Sequence, residues 1–472
     1  MAAGALQRTR MHRPLPDSLK GWVSDRRISS AGSRSMLLQR RNSAGGLSSM
    51  KSIRPREVRI DYLARVEGEA NIIIRRGAEE VEEIRLDIFE PPRFFEGFLV
   101  GRKYDEVGDI VSRICGICPI SHMTTAIQAV EAAMGIDPSP QTKQIRRLMC
   151  ISQNLASHII HLYMLALPDY VGYPGFLPMM PKFPQEAEDF LAMKSAMNQV
   201  AAIIGGRALH PISMVVGGFT RIPTRADLDD LAERIQKILP LARRTIDRIH
   251  GLSSPELHSD SEYLALRKED LFAINDGIII SSRGLNLETR EYPSFFRERQ
   301  ESYGMAKKSF TGQGNTFMVG ALARMNLKFN QYHEETRKIM EETGITIPDT
   351  NPYHNNLAQA LEIYDGTLEC LRLLEEIRPQ KETPVVRVRG GEGLAVTEAP
   401  RGLLMHFYRI DKQGTVEKAN LVTPTSHNFA NIEKDIRSLA TQFPEDDELG
   451  YLRLKCAQLV RAYDPCFSCS VH

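Results

Sequence analysis

The sequence predicts an α+β fold that is mainly α-helical, with a bundle of long helices at its core and small β-sheets at its periphery. Apolar residues recur at helical spacing in six long segments, and two other segments alternate between apolar and polar residues as strands do. The helical segments are Met123–Met134, Pro140–Leu167, Pro184–Ile204, Ala226–Ile249, Gly320–Glu342 and Asn356–Ile377. The alternating segments are Val58–Asp87, expected to be a strand pair, and Pro384–Val422, which includes the runs Val385–Arg389 and Leu403–Tyr408.

The composition is that of a large globular protein. A chain of 472 residues with 42% hydrophobic and 25% charged residues can bury an extensive core. Its formal net charge of +1 gives no general attraction to nucleic acid or to an anionic membrane. No run approaches the roughly 18 consecutive apolar residues that a spanning helix needs. Seven cysteines are too few for a disulfide scaffold in so long a chain, so we expect a reducing, cytoplasmic location.

Residues 1–50 differ from the rest of the chain. Arginines are frequent there, the only acidic residues are Asp17 and Asp25, and Ser and Gly lie between them. We predict a basic N-terminal extension that is disordered without a partner. The pair Arg26–Arg27 does not indicate export, because no apolar region follows it. Residues 51–472 are expected to form one large domain.

Two motifs carry the chemistry of this sequence. The first runs from Arg113 to His122 and contains Cys115 and Cys118; the second runs from Asp464 to His472 and contains Cys466 and Cys469. A two-residue spacer lets two thiolates converge on one metal, and two such pairs supply four sulfur ligands. A structural zinc site or a redox or disulfide pair would use the same residues. Zinc ribbons close short loops, however, whereas these pairs lie almost a chain length apart, which favours an active centre.

The two motifs, in this order, resemble the signature motifs of the large subunit of nickel-iron hydrogenases, and the resemblance covers Arg56–His472. It implies that 51–472 is a hydrogenase catalytic domain, with a long-helix bundle and small sheets, that converts H2 reversibly into protons and electrons. It also implies an iron carrying CO and cyanide beside the nickel. The implied nickel ligands are Cys115, Cys118, Cys466 and Cys469, of which Cys118 and Cys469 also bind the iron.

Further residues match functional positions of that family. Glu67, within Arg65–Glu69, matches the glutamate that exchanges protons with a terminal nickel cysteine, here Cys466. On the residues alone, Glu67 also fits a solvated turn carboxylate, and Glu69 stands where much of the family has histidine. Arg401, after Pro400, matches the arginine that hangs over the metals and holds a cyanide; a surface ion pair is the alternative.

The resemblance also implies a magnesium ion, or a second iron in its place. Glu96 lies in a stretch apolar enough to be buried, where a lone carboxylate needs a partner, and it matches the family's magnesium ligand. The backbone carbonyl of Leu421 and the side chain of His472 are the other implied ligands. Thr425 matches the hydroxyl that bonds a second cyanide, and His122 is expected to donate to a cysteine sulfur or to water.

One departure from the family is informative. Many uptake hydrogenases have Asp-His where this chain has Ser157–His158, whereas Asp464 still matches the family's aspartate. This form is similar to the cytoplasmic multisubunit enzymes linked to NAD(P) or another soluble carrier such as ferredoxin. The remaining cysteines are scattered and expected in the core: Cys150, Cys370 and Cys456. Electrons would therefore leave through an iron-sulfur small subunit, followed by flavin and iron-sulfur diaphorase subunits.

Two alternatives from other functional classes remain at this stage. A hydrogen-sensing regulatory subunit would use the same ligands at low turnover. A scaffold related to the quinone-site subunit of respiratory complex I would share the fold without the metals, but the complete set of four cysteines disfavours it.

Overall fold

Helices form most of the regular structure, and every helical segment predicted from the sequence contains at least one. The computed structural model describes residues 56–77, 80–443 and 449–471. The helices are α1 (Phe95–Leu99), α2 (Tyr104–Val111), α3 (Pro119–Met134), α4 (Pro140–Ile160), α5 (Leu167–Tyr170), α6 (Phe176–Met179), α7 (Pro184–Gly205), α8 (Arg225–His250), α9 (Tyr292–Phe295), α10 (Ala321–Lys328), α11 (Glu334–Glu342), α12 (Asn355–Glu376), α13 (Pro424–Thr441), α14 (Leu449–Ala462) and α15 (Phe467–Ser470). The strands are β1 (Arg56–Ile60), β2 (Ala70–Arg76), β3 (Val81–Ile88), β4 (Met214–Val215), β5 (Gly218–Phe219), β6 (Glu262–Arg267), β7 (Ile278–Ser281), β8 (Asn286–Glu288), β9 (Phe296–Gln300), β10 (Lys307–Thr311), β11 (Phe317–Met318), β12 (Gly391–Ala399), β13 (Gly402–Ile410) and β14 (Val416–Val422).

Four of the long helices form a bundle. Helix α12 packs against α8 and α4, and α7 packs against the same two helices. Helix α8 shows why the sequence forms such elements: its buried Leu228, Leu231 and Ile235 recur every three or four residues. It begins at a capping box, in which the Thr224 hydroxyl accepts from the Asp227 N–H at 3.1 Å and the Asp227 carboxylate accepts from the Thr224 N–H at 2.8 Å. The predicted helix bundle is confirmed.

Small sheets accompany the bundle. Strands β1, β2 and β3 form an antiparallel sheet in that order, and so do β12, β13 and β14. The strand pair predicted over Val58–Asp87 thus becomes three strands. The strand predicted over Val385–Arg389 is wrong: within the described part of the chain no strand pairs with it, and the Val385 side chain is 77% exposed. The remaining sheets, around 214–219 and 262–318, were not predicted.

Helix α3 and the β12–β13 hairpin lie side by side. A Cβ added at Gly393 would lie only 2.0 Å from the carbonyl oxygen of Ala129, so only glycine permits this approach. Further along the strand, the Thr397 hydroxyl lies 2.6 Å from that of Thr125. Strand β12 therefore runs towards the N-terminal end of α3, where the first cysteine pair lies. Arg401 follows this strand, in the hairpin turn.

The predicted helix over Gly320–Glu342 is wrong as a single element. It divides into α10 and α11, with a 3-10 turn at Phe329–Gln331 between them. The His333 N–H donates to Oδ1 of Asp365 on α12 at 2.8 Å, rather than to a carbonyl one helical turn earlier. A tertiary hydrogen bond thus begins the second helix.

The segment predicted over Pro140–Leu167 is helical throughout, but it passes from α4 into a π-helix at His161–Ala166. Both histidines of this segment are buried in the core, as expected. Nε2 of His158 lies 2.9 Å from the Glu362 carboxylate, and Nδ1 of His161 lies 2.5 Å from the Gln359 amide oxygen.

Among the described residues, no helix combines the length and apolar character that a bilayer-crossing segment requires. The predicted basic extension over 1–50 lies outside the described residues. Helices α13 and α14, which the sequence did not predict, complete the C-terminal part of the fold.

Candidate metal centre

The first cysteine pair lies where a 3-10 turn meets α3. Cys115 follows the turn Ser112–Ile114, and Cys118 is the N-cap of α3, with Pro119 at the first helical position. The Ile117 N–H donates to Sγ of Cys115 at 3.3 Å. Both cysteines are buried. This N–H group favours negative charge on the sulfur atom of Cys115.

The second cysteine pair is held by two distant parts of the chain. The Cys466 N–H donates to Oγ1 of Thr425, at the start of α13, at 2.9 Å. The Phe467 N–H donates to the carbonyl oxygen of Glu67, between β1 and β2, at 2.8 Å. The C-terminal cysteines are therefore fixed by contacts from both halves of the sequence.

The two pairs converge, as the sequence motifs predict. The sulfur atoms of Cys115, Cys118 and Cys469 lie within 4.8 Å of one another, and Sγ of Cys466 lies 3.6 Å from that of Cys115. The sulfur atoms of Cys466 and Cys469 are joined as a disulfide, so this pair offers two thiolates only when reduced. Four buried soft donors that converge in this way fit nickel, which favours sulfur ligands.

The electrostatics favour the thiolate form at one cysteine of the first pair, Cys115. A hydrogen bond from the Cys118 thiol and the charge of Arg401 lower the pKa of Cys115, against the effect of burial. The hydrogen bond to Cys115, burial and the neighbouring charge raise the pKa of Cys118. A metal cation that binds both sulfur atoms would displace the shared proton.

Glu67 lies directly against the second cysteine pair. Its Oε2 atom is 2.9 Å from Sγ of Cys466 and accepts from the Ser468 N–H at 3.2 Å. The Ser468 hydroxyl donates to the other carboxylate oxygen. The sequence analysis assigned no role to Ser468. Its position between the two motif cysteines could have indicated that it lies at the centre. When the disulfide is reduced, a proton on Sγ of Cys466 can reach this carboxylate directly.

Arg401 also lies at the centre, and it is buried. Its Nε donates to the Asp464 carbonyl at 2.5 Å and its Nη2 to the Asp464 carboxylate at 3.0 Å. Nη1 has no hydrogen-bond partner among the described residues. Although burial lowers it, the pKa of Arg401 is raised by Asp464 and by the charges of Cys118 and Cys115. The alternative of a surface ion pair is wrong, and Nη1 provides a donor for a ligand.

Asp464 is oriented by residues that the sequence did not indicate. Its backbone has a φ of +50, and its Oδ2 accepts from Nε2 of Gln359 at 3.1 Å. Gln359 belongs to α12 and also contacts His161. No sequence signal pointed to this glutamine, because its spacing on the helix is that of an ordinary core position.

His122 is buried on the first turn of α3. Its Nδ1 lies 3.2 Å from Nε2 of His406 on β13, and the other nitrogen of His406 lies 2.7 Å from the Tyr408 hydroxyl. The expected donation from His122 to a cysteine sulfur or water stays a prediction. His406 and Tyr408 are two residues apart and lie on the same face of β13. This spacing predicts a strand but indicates no role in the centre.

The surroundings of Glu96 differ from the expectation of a buried segment. Phe94 is 70% and Phe98 60% exposed, so the prediction of burial is wrong, since this apolar stretch lies at the surface. Oε1 of Glu96 accepts from the Leu421 N–H at 2.9 Å, and Oε2 lies 3.6 Å from Nζ of Lys307. Glu96 and Leu421 are therefore adjacent, as predicted, whereas His472 lies outside the described residues.

The sequence and the fold both have known relatives. The profile of the nickel-dependent hydrogenase family matches residues 93–183 and 286–472. The chain is 35% identical over 423 residues to the alpha subunit of sulfhydrogenase 1 from Pyrococcus furiosus, covering 88% of this chain and 97% of that protein. It is 34% identical over 426 residues to the alpha subunit of sulfhydrogenase 2 from the same organism, covering 88% and 98%.

Solved structures confirm the fold. An NAD+-reducing [NiFe]-hydrogenase in the H2-reduced state superposes with a TM-score of 0.78 at 24% identity, covering 88% of this chain and 99% of that one. The [NiFeSe]-hydrogenase of Dm. baculatum superposes with a TM-score of 0.72 at 22% identity, covering 89% and 100%. With its two converging cysteine pairs, this chain belongs to the nickel-dependent hydrogenase family, as a large subunit of the nickel-iron type.

Proposed function

We propose that this chain catalyses the reversible oxidation of H2 to two protons and two electrons at a nickel-iron centre held by Cys115, Cys118, Cys466 and Cys469. The observation that carries the proposal is the convergence of four buried sulfur atoms between a carboxylate, Glu67, and a guanidinium, Arg401. A structural zinc site needs neither a proton acceptor nor a buried cation beside its sulfur ligands.

When bound, nickel and iron supply the soft, electron-rich site at which H2 is held and split. As the family resemblance implies, Cys118 and Cys469 would be the thiolates that also bind iron, whereas Cys466 lies beside Glu67. The unpartnered Nη1 of Arg401 supports its assignment as the charged group that polarises H2 and donates to a cyanide on the iron. Thr425, whose hydroxyl oxygen already accepts from the Cys466 N–H, can still donate its proton to a second cyanide.

Proton transfer is assigned to Glu67. Once the Cys466–Cys469 disulfide is reduced, a proton on Sγ of Cys466 can pass to Oε2 of Glu67 across 2.9 Å. Glu90 is the next candidate acceptor, since burial and the charges of Glu67 and Glu69 raise its pKa. The carboxylate of Glu90 lies close to Gly68, where an added Cβ would be 3.1 Å from Oε1. Protons would thus pass from the loop between β1 and β2 to the segment that follows β3.

Electrons would leave through a partner. The remaining cysteines of the described chain are buried and form no further metal cluster. The relatives named above are alpha subunits, which implies other subunits beside them. We propose an iron-sulfur small subunit, followed by flavin and iron-sulfur diaphorase subunits, and a cytoplasmic carrier such as NAD(P) or ferredoxin. Purified alone, the chain should show no dye-linked H2 oxidation; sustained activity would contradict this assignment.

Magnesium is proposed at Glu96 and the Leu421 carbonyl, with His472 as a third ligand. Glu96 and Leu421 are adjacent, but the Lys307 ammonium already supplies positive charge 3.6 Å from the Glu96 carboxylate. Bound magnesium would require this ammonium to turn away. We expect mass spectrometry to find about one magnesium per chain in the original protein and less in Glu96→Gln. Equal magnesium contents in the two proteins would show that Glu96 does not bind the ion.

The experiment that tests the function is metal analysis combined with infrared spectroscopy of the purified complex. We expect nickel, iron and the stretching bands of iron-bound CO and cyanide. Cys469→Ser should lose nickel and activity, because a hydroxyl is a poor ligand for a soft metal. Cys370→Ser, which changes a buried cysteine outside the centre, is the control and should keep both. Zinc without these bands, or full nickel and turnover in Cys469→Ser, would overturn the assignment.

A further inference from the structure

The turn that carries Arg401 has an unusual construction. In the β12–β13 hairpin Ala399 pairs with Gly402, which leaves Pro400 and Arg401 as a two-residue loop. Two-residue hairpin loops normally have a positive φ at the first loop position, because such turns match the twist of the strands. Proline fixes φ near −65° and excludes them. The loop therefore needs contacts from outside the hairpin to keep its shape.

Arg324, in the first turn of α10, provides these contacts. Its Nη2 donates to the Pro400 carbonyl at 2.9 Å and its Nη1 to the Ala399 carbonyl at 3.2 Å. The start of the same helix touches the loop as well, since a Cβ added at Gly320 would lie 3.0 Å from the Arg401 carbonyl. One guanidinium thus holds both carbonyl groups that precede Arg401.

Arg324 is itself fixed in place. Glu362 accepts from its Nε at 2.6 Å and from its Nη2 at 2.7 Å, and Glu398 accepts from its Nη1 at 2.9 Å. With the two carbonyls, these contacts give an acceptor to each of the five N–H groups of a guanidinium. The Arg324 side chain is only 1% exposed. A buried ion group of this kind holds one geometry, because any rearrangement leaves a charge unpaired.

The charges of Arg324 and of Glu362 are fixed as well. Burial would raise the pKa of Glu362, but Arg324 and His158 lower it to about 2. The charges of Glu362 and Glu398 raise the pKa of Arg324 against the effect of burial. The group therefore works as a fixed scaffold and not as a proton relay.

We propose that Arg324 is a positioning residue for the hydrogenase reaction: by binding the Ala399 and Pro400 carbonyls it sets where the Arg401 guanidinium lies over the metal centre. The inference rests on the proposed role of Arg401. Lysine cannot replace Arg324, because an ammonium is a point charge that cannot reach two carbonyls and two carboxylates in one plane. A small displacement of a group that acts on the substrate can cost about 100-fold in rate.

A cavity beside Arg324 allows a chemical test. It has a volume of about 530 Å3, is lined by Arg324, Glu362, Arg147 and Glu369, and reaches the surface at the exposed Glu269. A guanidinium ion from solution can therefore enter the space that Arg324→Ala leaves, and restore the hydrogen bonds to the loop. Arg147 lines the same cavity and pairs with Glu369, but it does not contact the loop. Arg147→Ala is therefore the matched control.

The experiment compares variants of the complete multisubunit enzyme. Arg324→Ala and Arg324→Lys should keep nickel and iron, turn over about 100-fold more slowly, and shift the cyanide bands as Arg401→Lys does. Added guanidinium should restore Arg324→Ala about tenfold and leave Arg324→Lys unchanged. Arg147→Ala should stay within about threefold of the original enzyme. The double variant Arg324→Ala/Arg401→Lys should be no slower than Arg401→Lys, because both changes remove one function.

Other outcomes would overturn the inference. Turnover of Arg324→Ala within about threefold of the original enzyme would show that the loop holds its shape unaided. Loss of the metals without rescue by guanidinium would make Arg324 a folding residue. If Arg401→Lys is itself fully active, the proposed function of Arg401 fails. A slow Arg401→Lys beside a fast Arg324→Ala refutes only the positioning role.

Discussion

At the scale of single residues, the centre places a proton acceptor and a fixed cation at the same group of sulfur atoms. Glu67 touches Cys466, whereas the charge of Arg401 acts on Cys115 and Cys118. A carboxylate can take up and release protons, but a guanidinium remains charged at any working pH. Substitutions at Glu67 and at Arg401 should therefore affect proton transfer and charge stabilisation separately.

Glu67→Gln keeps the size and hydrogen-bonding capacity of the side chain but removes its ability to carry a proton. We expect H2 oxidation and H/D exchange with solvent to fall together by about 100-fold or more. Metal content and the infrared bands should stay near those of the original enzyme, and para/ortho-hydrogen conversion should survive better. Glu83→Gln, which changes an exposed ion-pair carboxylate on β3, is the control. A Glu67→Gln enzyme that exchanges deuterium at the original rate would show that the proton leaves elsewhere, with His122 or Asp464 as candidates.

Arg401→Lys keeps the positive charge but loses the planar set of donors. Because one preorganised donor at a reacting site contributes about 100-fold or more, turnover should fall by that factor while nickel and iron remain bound. Metal content and H2 uptake should be measured on the same preparation. Loss of the metals instead would mean that Arg401 serves the structure.

At the scale of elements, α13 is fastened to the sheet by a neutral histidine. Nδ1 of His427 donates to the Leu403 carbonyl at 2.9 Å, and its Nε2 accepts from the Tyr292 hydroxyl at 2.6 Å. Burial lowers the pKa of His427 to about 4, from an ordinary value of 6.5. Protonation would place an uncompensated charge in the core and turn Nε2 into a donor, so that it no longer accepts from the Tyr292 hydroxyl. Helix α13 carries Thr425, so this contact also supports the centre.

The hydrogen bonds of His427 to Leu403 and Tyr292 should stabilise the fold less in acid. Between pH 6.5 and about 4 the unfolded chain binds a proton at His427 and the folded chain does not. The free energy of unfolding therefore falls with pH in this window, by about 3 kcal/mol in total from this residue. His427→Asn should have a lower Tm at pH 7.5 but a smaller loss of Tm between pH 7.5 and 4.5. An equal loss in both proteins would show that other groups cause the acid sensitivity.

At the scale of the whole molecule, a buried ion group joins three parts of the described chain that are far apart in sequence. Asp169, after the π-helix, accepts from Arg65 next to Glu67 and from Arg461 at the end of α14. Nη1 of Arg65 also donates to the Leu165 carbonyl at 2.7 Å. Glu67 and the C-terminal cysteines are thereby held to one site.

Asp169→Asn removes the charge that two largely buried arginines share. We expect a loss of about 3 to 5 kcal/mol in the free energy of unfolding, seen as a Tm lower by several degrees, and less nickel per chain. Glu233→Gln, which opens an exposed ion pair with Lys237, is the control and should leave the Tm unchanged. Equal Tm values for the Asp169→Asn and original proteins would show that this ion group does not hold the chain together.

Much of the fold could be predicted because its signals are local. The spacing of apolar residues indicates α4, α7, α8 and α12, since amphipathic periodicity depends only on neighbours along the chain. The break between α10 and α11 could not be predicted, because it depends on a hydrogen bond from His333 to Asp365 on another helix. The exposed run at Val385 looked like a strand, since alternation does not reveal whether a partner strand exists.

For the site, the sequence by itself determined which atoms are chemically able to act: two Cys-x-x-Cys pairs, a glutamate, an arginine after proline and an aspartate. These residues can be recognised from the motifs, which resemble those of a known family. Only the tertiary structure decided that Sγ of Cys466 meets Glu67, that Gln359 orients Asp464 and that Arg324 holds the turn before Arg401. These contacts join residues far apart in the chain, and their geometry follows from the packing of whole helices and strands, which no local pattern encodes.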